Sequence, residues 1–210
     1  MFSYAPFSAK QLAVITAELP RITILEGSVS SGKTISSIIR WVLYVGLETS
    51  PGAKLLMLGV TEDTLKRNVI NDLLDIVGDK YAKYREGELK LFGRTIYCVG
   101  ARDEGQEKRI RGLSVEGCYI DEATQIPENV IDQAITRCRR GKGRLIWTTN
   151  PDSPYHYLYK RFVNNEKDKA TGRIKTFHFE LDDNLALSEE YKNACFVRLH
   201  DKESAECNKI

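Results

Sequence analysis

The chain has 210 residues, 42% of them hydrophobic and 9% aromatic, a composition typical of one globular domain and too apolar for a disordered chain. Its 31 Lys and Arg residues nearly balance 29 Asp and Glu residues, so the net charge of +2 neither requires nor excludes a nucleic-acid partner. The five cysteines are widely spaced and match no metal-binding pattern, which predicts reduced, mostly buried thiols. No signal-peptide pattern and no apolar run near the ~20 residues of a membrane helix is present, so we expect a cytosolic protein with no membrane partner.

Strand and helix patterns alternate along the chain. Apolar runs predict strands at 21–26, 53–60, 115–120, 144–148 and, with one exposed face, 174–181. The segment 88–99 predicts a hairpin that turns at Phe92-Gly93-Arg94. Helical spacing predicts helices at 33–47, 62–77, 128–139 and 188–200. This alternation favours an α/β fold with a mainly parallel central sheet flanked by helices.

A phosphate-binding loop follows the first predicted strand. Residues 27–34 read GSVSSGKT and satisfy the pattern G-x-x-x-x-G-K-[ST] between a strand and a helix. Glycines let successive backbone N–H groups point inward, and the start of the helix adds partial positive charge. Lys33 is expected to reach the β- and γ-phosphates, and the Thr34 hydroxyl to coordinate Mg²⁺. The predicted nucleotide-binding residues of this loop are Gly27, Ser28, Ser30, Ser31, Gly32, Lys33 and Thr34.

Two acidic residues end a later apolar strand. Residues 115–122 read VEGCYIDE. We expect Asp121 to hold Mg²⁺ through its water shell and Glu122 to polarise an attacking water molecule. The alternative is an ordinary acidic pair at the start of a helix. The phosphate loop upstream favours the catalytic interpretation, because each motif predicts the other.

A third polar strand end occurs at LIWTTN, residues 145–150. Thr148, Thr149 and Asn150 are expected at the same sheet edge, close to the γ-phosphate, where they can sense whether that phosphate is present. The alternative is a plain strand terminator, since a TTNP turn also ends strands. In the context of the other two motifs we predict that Thr149 and Asn150 contact the nucleotide.

These segments, with FHFELDDNLALSEEY near the end of the chain, resemble the ATPase portion of the phage terminase large subunit, the motor that drives viral DNA into a preformed capsid. The resemblance runs from about Phe7 to about Leu199. Its specific parts are the Arg111-Gly112 pair, the segment from Asn150-Pro151 to His156, and the Asp182-Asp183-Asn184 turn. It implies a P-loop NTPase fold of the additional-strand type, one ATPase domain over 1–210, and ATP with Mg²⁺ as cofactors.

The resemblance also implies roles for particular residues. Lys33, Thr34, Asp121 and Glu122 fall on the family's phosphate-loop and acidic positions, and 148–150 falls on its coupling motif. Gln11 matches a glutamine that the family uses near adenine, although a solvated glutamine at a helix start is the alternative. The implied partners are double-stranded DNA, the portal protein and the small terminase subunit. A ring of subunits when docked, a possible monomer in isolation, and the cytoplasm of an infected bacterial host are implied as well.

Two features depart from the family pattern. Many members carry an arginine within the phosphate loop, but here 28–31 has no basic residue. The transition-state cation is then expected from Arg67, Arg102, Arg109 or Arg111, or from a neighbouring subunit; Arg109 and Arg111 are the catalytic candidates we favour. Family members also continue into a nuclease domain, whereas the tail 200–210 carries no acidic cluster, so we expect no nuclease activity in this chain.

Basic residues concentrate at 108–111, 137–144 and 160–161. The middle run is suited to holding a phosphate backbone without recognising sequence, but favourable charge at a helix end explains it equally well. We predict an ATPase that translocates double-stranded DNA. The alternatives are another nucleic-acid ATPase, such as a helicase, and a nucleotide-binding assembly module with little turnover.

Overall fold

The structure, a computed structural model, describes residues 6–150 and 153–195. Its strands are β1 (Ile22–Gly27), β2 (Lys54–Gly59), β3 (Ala82–Arg85), β4 (Glu88–Leu91), β5 (Arg94–Gly100), β6 (Gly117–Ile120), β7 (Arg144–Thr149) and β8 (Ile174–Phe179). Its α-helices are α1 (Ala9–Thr16), α2 (Lys33–Leu47), α3 (Glu62–Leu65), α4 (Asn71–Val77), α5 (Glu107–Ile110), α6 (Glu128–Arg137) and α7 (Glu166–Ala170). Two π-helical segments lie at Lys66–Ile70 and Tyr159–Val163.

The strands form one sheet in the order β3-β4-β5-β2-β6-β7-β1-β8. In this sheet order, the last six strands, β5-β2-β6-β7-β1-β8, pair in parallel. Strands β3 and β4 add an antiparallel edge. Strand β7 is inserted between β1, which leads into the phosphate loop, and β6, which ends in the acidic pair. That insertion is the additional strand that the family resemblance implies. The carboxyl ends of β1, β6 and β7 therefore lie side by side.

Helices cover both faces of the sheet, as predicted. Alternate residues of a strand face opposite sides, and in β2 Leu55 and Met57 pack with α2 residues such as Trp41, while Leu56 and Leu58 belong to the core on the other face. The second core includes the apolar side of α6. Two buried cores thus hold the sheet rigid beneath the loops at its carboxyl edge.

The structure confirms the predicted strands, the hairpin turn and the first three predicted helices, with three differences. Strand β3 was not predicted, because its four residues, AKYR, are too few and too polar to give a pattern. Helix α6 ends at Arg137 rather than 139, since Cys138 leaves helical geometry at φ −79° and ψ 69°. The segment 62–77 is helical throughout but contains a π-helical turn. Of the last predicted helix, 189–195 is helical and 196–200 lies outside the described residues.

Cys98, Cys118 and Cys138 are buried free thiols, and Cys195 is a half-buried one, as the spacing predicts; Cys207 lies outside the described residues. Burial raises the pKa of the Cys98 thiol to about 12, so it is unreactive at neutral pH. Over the described ranges 6–150 and 153–195, the helices are all too short or too polar to cross a membrane.

Candidate nucleotide site

The phosphate loop requires glycine at two positions. Gly27 has φ 142°, and a Cβ there would lie 1.9 Å from the carbonyl oxygen of Phe179. Gly32 has φ 83°, and a Cβ there would lie 2.5 Å from the side-chain nitrogen of Gln11. Any larger residue at either position would displace a neighbouring chain segment. The glycines of the motif are thus explained by close packing as well as by backbone freedom.

The loop presents unused hydrogen-bonding groups. Helix α2 begins at Lys33, and its N-cap Gly32 provides no side-chain cap, so N–H groups of the first turn remain available. The Ser31 hydroxyl is buried and finds no hydrogen-bond partner within the described part of the chain. An anion bound at the start of this 15-residue helix would satisfy these donors and the partial positive charge of the helix. The loop therefore fits a phosphate chain.

Lys33 connects the loop to the end of β7. Its Nζ donates to the carbonyl oxygen of Ser28 at 2.8 Å and to Oδ1 of Asn150 at 2.7 Å. Burial lowers the pKa of Lys33 to about 8, although the nearby carboxylates of Asp121 and Glu122 act in the opposite direction. The lysine is thus a desolvated cation held between the first and third motifs.

The two residues of the acidic pair, at the end of β6, differ in their surroundings and in backbone conformation. Asp121 is buried and accepts a hydrogen bond from the Thr148 hydroxyl at 2.7 Å. Burial raises the pKa of Asp121, while the Thr148 bond and Lys33 partly offset that rise. Glu122 has a left-handed backbone, φ 52°, and its carboxylate accepts from Gln125 at 3.2 Å. A non-glycine residue held at positive φ is strained, a feature that clusters at functional sites.

The three predicted motifs converge on one cavity of about 340 Å³. Its lining residues are Val29, Ser30, Lys33, Thr34, Asn68, Asp72, Asp121, Glu122, Thr148, Thr149 and Asn150. Magnesium in nucleotide sites takes one or two protein oxygens and completes its shell with phosphate and water. The Thr34 hydroxyl and the Asp121 carboxylate supply such oxygens in this cavity, so the residues present fit Mg²⁺ with a triphosphate.

Gln11 lies against the phosphate loop, but both ends of its amide are engaged. Its Oε1 accepts from the Ser8 backbone at 2.9 Å, which closes the start of α1, and its Nε2 donates to the Gly32 carbonyl at 3.3 Å. Gln11 does not line the cavity. Contact with adenine stays a prediction, and it would require these bonds to exchange.

The candidate arginines lie outside the cavity. Arg111 is ion-paired with Glu107 at 2.9 Å, and Arg109 lies beside Gln106 on the same exposed short helix. Arg67 is nearer, because its Nε lies 3.3 Å from the side-chain oxygen of Asn68, which lines the cavity. Arg102 is exposed in the loop after β5. Among the described residues, therefore, no arginine lines the cavity.

The cavity also contains residues that sequence patterns did not indicate. Asn68 lies in the π-helical turn and hydrogen-bonds with Asp121, which helps to hold the pKa of that carboxyl down. Asp72, one turn later, lines the same cavity. The only signal in the sequence is that these two polar residues are four apart on one helix face. π-Helical turns are frequent at functional sites, but they leave no mark in a sequence.

A second unpredicted contact closes the loop from the far end of the chain. The Asn184 side-chain amide donates to the Ser30 carbonyl at 2.7 Å, and the Tyr191 and Ser30 hydroxyls lie 3.2 Å apart. The turn that carries Asn184 is fixed to α1 by an ion pair of 2.6 Å between Asp183 and Lys10. Ser30 itself has a left-handed backbone, φ 62°. Asn184 therefore stabilises a strained residue of the loop.

Asn184→Ala is expected to weaken ATP binding about three- to tenfold, because one hydrogen bond worth roughly 1 kcal/mol no longer holds Ser30 in position. Titration with a fluorescent ATP analogue measures the change. Asn193→Ala, on the exposed side of the helical segment 189–195, is the matched control and should bind like the parent. Equal affinities for the two variants would show that the loop does not depend on Asn184.

The strand order and the phosphate loop define a P-loop NTPase fold of the additional-strand type. Residues 20–203 match the family of the phage terminase large subunit, so the chain belongs to that family.

Solved structures of phage large terminases are similar to this chain. The large terminase of a thermophilic bacteriophage is 29% identical, with a TM-score of 0.79 over 90% of this chain and 50% of that one. The same terminase in complex with ADP is 28% identical, with a TM-score of 0.77 over 90% and 49%. The HK97 bacteriophage large terminase, 17% identical, shares the fold with a TM-score of 0.73 over 98% and 49%. No curated protein sequence matches significantly. The chain thus spans about half the length of these terminases.

Proposed function

We propose that this chain is the ATPase motor domain of a DNA-packaging terminase, which hydrolyses ATP to translocate double-stranded DNA into a procapsid. The convergence of Lys33, Asp121, Glu122 and Asn150 on one cavity carries the proposal. The related terminase of the thermophilic phage was solved with ADP and with ATP-γ-S, which supports a nucleotide in the corresponding place. The proposed partners are duplex DNA, the portal protein and the small terminase subunit, in the cytoplasm of an infected bacterium.

In the proposed reaction, the loop's N–H groups and Lys33 bind the β- and γ-phosphates and neutralise charge that develops during transfer. The Thr34 hydroxyl and Asp121 would hold Mg²⁺, which supplies further positive charge at the phosphates when bound. Glu122 accepts a proton from the attacking water and orients it toward the γ-phosphate. Glu122 lines the cavity at the end of β6, where its backbone is left-handed.

The bond between Lys33 and Asn150 suggests how hydrolysis is coupled to movement. In the structure, Asn150 Oδ1 accepts from the lysine at 2.7 Å. A γ-phosphate competes for the same Nζ, and its arrival releases Asn150 at the end of β7. Asn150 is thus placed to report the state of the phosphate to the segment that follows it.

The missing arginine is best supplied by a neighbouring subunit. Arg109 and Arg111 lie on an exposed helix outside the cavity, so their charge is accessible to another copy of the chain. A ring in which α5 of one subunit approaches the cavity of the next would complete the site. Arg67, beside Asn68, is the alternative within the same subunit.

The experiment is the steady-state ATPase rate of the 210-residue chain, measured with and without duplex DNA over a range of protein concentrations. We expect the rate per subunit to rise with concentration, because a trans arginine requires association, and to rise further with duplex. ATP binding without turnover at every concentration would instead support a nucleotide-binding assembly module. Strand separation of a partial duplex would support a helicase.

A further inference from the structure

Three arginines form a row at the edge of the sheet opposite the phosphate loop. Ile22, Leu145 and Ile174 are register partners in β1, β7 and β8, and each directly follows an arginine. These are Arg21, Arg144 and Arg173. Neighbouring strands are about 4.8 Å apart, so the three backbones lie side by side at the amino edge.

The row borders an open groove of about 590 Å³. Its lining residues are Glu18, Leu19, Pro20, Arg21, Arg144, Lys169, Gly172, Arg173, Ile174 and Lys175. Five of them are basic and one is acidic. Its two large aliphatic residues, Leu19 and Ile174, are buried in the protein core, so the groove exposes no large aliphatic side chain.

The basic residues of the groove differ in what they contact. Arg21 has a structural role, since its guanidinium donates to the backbone carbonyls of Gly143 and Ile135. In contrast, Arg144 Nε is buried and has no hydrogen-bond partner among the residues that the structure describes. Within the described ranges no carboxylate pairs with Arg144, Arg173 or Lys175; Lys175 only lies over the Phe177 ring.

A guanidinium without a carboxylate partner is well suited to an anionic oxygen in the groove. The loop between α6 and β7 extends the positive surface beyond the groove. Arg139, Arg140 and Lys142 are exposed there, next to Arg144 in the chain. In residues 6–150 and 153–195, Arg139 has one side-chain hydrogen bond, to the Ser114 hydroxyl at 3.4 Å, and pairs with no carboxylate, so its charge is available for an anion. In the structure, Arg173 and Lys175 at the start of β8 thus lie beside the basic run at 137–144.

We infer that this groove binds the phosphate backbone of duplex DNA without recognising its sequence. The inference rests on the proposed function in that duplex DNA is the cargo. Guanidinium groups suit phosphate oxygens, and several accessible cations along an open groove suit a repeating anion. An acidic protein partner is less well matched, because its interface would require an aromatic or aliphatic anchor that the groove does not offer.

The groove is separate from the nucleotide cavity. Residue 21 and Gly27 stand at opposite ends of β1, whose six residues span roughly 20 Å. Changes in the groove should therefore leave nucleotide binding intact. This separation allows DNA binding and nucleotide binding to be tested independently.

The test is the triple variant Arg144→Gln, Arg173→Gln and Lys175→Gln in the 210-residue chain. Fluorescence anisotropy with labelled duplexes, about 30 base pairs long and of two unrelated sequences, gives affinity and its salt dependence from low to moderate salt. We expect binding to weaken about tenfold or more for both duplexes, and the slope of log affinity against log salt to become less steep by about two to three. ATP binding should be unchanged.

The matched control is Lys80→Gln, Lys83→Gln and Arg85→Gln, which removes the same charge around β3 at the far edge of the sheet. It should bind duplex like the parent. The groove assignment is overturned if both triple variants lose affinity equally, if the groove variant binds like the parent, or if the parent binds poly-glutamate through these residues and not duplex. It is also overturned if the parent binds ATP but no duplex at low salt, an outcome that leaves ATP binding, one part of the proposed function, standing.

Discussion

Glu122→Gln is expected to lower the ATPase rate by about 10²–10⁴-fold while ATP affinity stays within about threefold of the parent. Glutamine keeps the size of the side chain but cannot accept the proton of the attacking water. The carboxylate makes no hydrogen bond to the phosphate loop; it accepts from Gln125 at 3.2 Å. Binding should therefore survive the change. Single-turnover phosphate release and titration with a fluorescent ATP analogue measure the two properties separately.

Glu128→Gln provides the control for this prediction. Glu128 lies at the start of α6, hydrogen-bonds with Arg161, and does not line the nucleotide cavity. Its substitution removes the same charge six residues along the chain and should leave the rate near that of the parent. If Glu122→Gln retained more than about a tenth of the rate, another group would have to activate the water, and Asp72, which lines the same cavity, would be the next candidate.

The fold and the centre of the site were predictable because their signals are local. Residues 27–34 specify a turn, a helix start and a phosphate contact within eight positions. The ends of β6 and β7 show as apolar runs followed by acids or an asparagine. Parallel strands place such ends at one edge, so the meeting of Lys33, Asp121 and Asn150 followed from topology alone. The structure confirms that meeting at 2.7 Å for Lys33 and Asn150.

The remaining parts of the site depend on contacts between distant segments. Asn184 reaches Ser30 across 154 residues of chain, and no local pattern marks which asparagine of a turn will do so. Asn68 enters the cavity through a π-helical turn, which periodicity reads as ordinary helix. The row formed by Arg21, Arg144 and Arg173 depends on strand register, which was not specified by the sequence patterns. The sequence patterns indicate residue types, but they do not indicate which distant residues contact each other.

Lys33→Met is expected to reduce ATP affinity about 100-fold or more and yet to stabilise the nucleotide-free protein at about pH 7. The loss of affinity follows from removing a cation and its charge-assisted hydrogen bonds to phosphate, each worth roughly 1.5–3 kcal/mol. The gain in stability follows from burial, which lowers the pKa of Lys33 from 10.5 to about 8. Keeping the lysine charged in the folded state therefore costs about 3 kcal/mol. Loss of the hydrogen bonds to Ser28 and Asn150 destabilises the variant by about 1 kcal/mol each. The free energy of unfolding therefore rises by roughly 1 kcal/mol in total.

The difference in stability between the parent and the methionine variant should depend on pH. Between pH 8 and 10.5 the folded parent binds fewer protons at Lys33 than the unfolded parent does, so the free energy of unfolding of the parent rises with pH through this window. The methionine variant has no such group, and its advantage should shrink above pH 8 and vanish before pH 10.5. Urea unfolding of both proteins at several pH values measures the difference. Lys83→Met, at an exposed position of strand β3, is the control for the same substitution away from the site.

A methionine variant that is less stable than the parent near neutral pH, with no trend toward high pH, would contradict this account. It would mean that the bonds from Lys33 to Ser28 and Asn150 outweigh the cost of desolvation. The expected result has a mechanistic consequence: burial of Lys33 carries a free-energy cost that a bound γ-phosphate would offset. ATP binding would then stabilise the desolvated cation and free Asn150 in the same step, which ties the desolvation of Lys33 to the coupling motif at the end of β7.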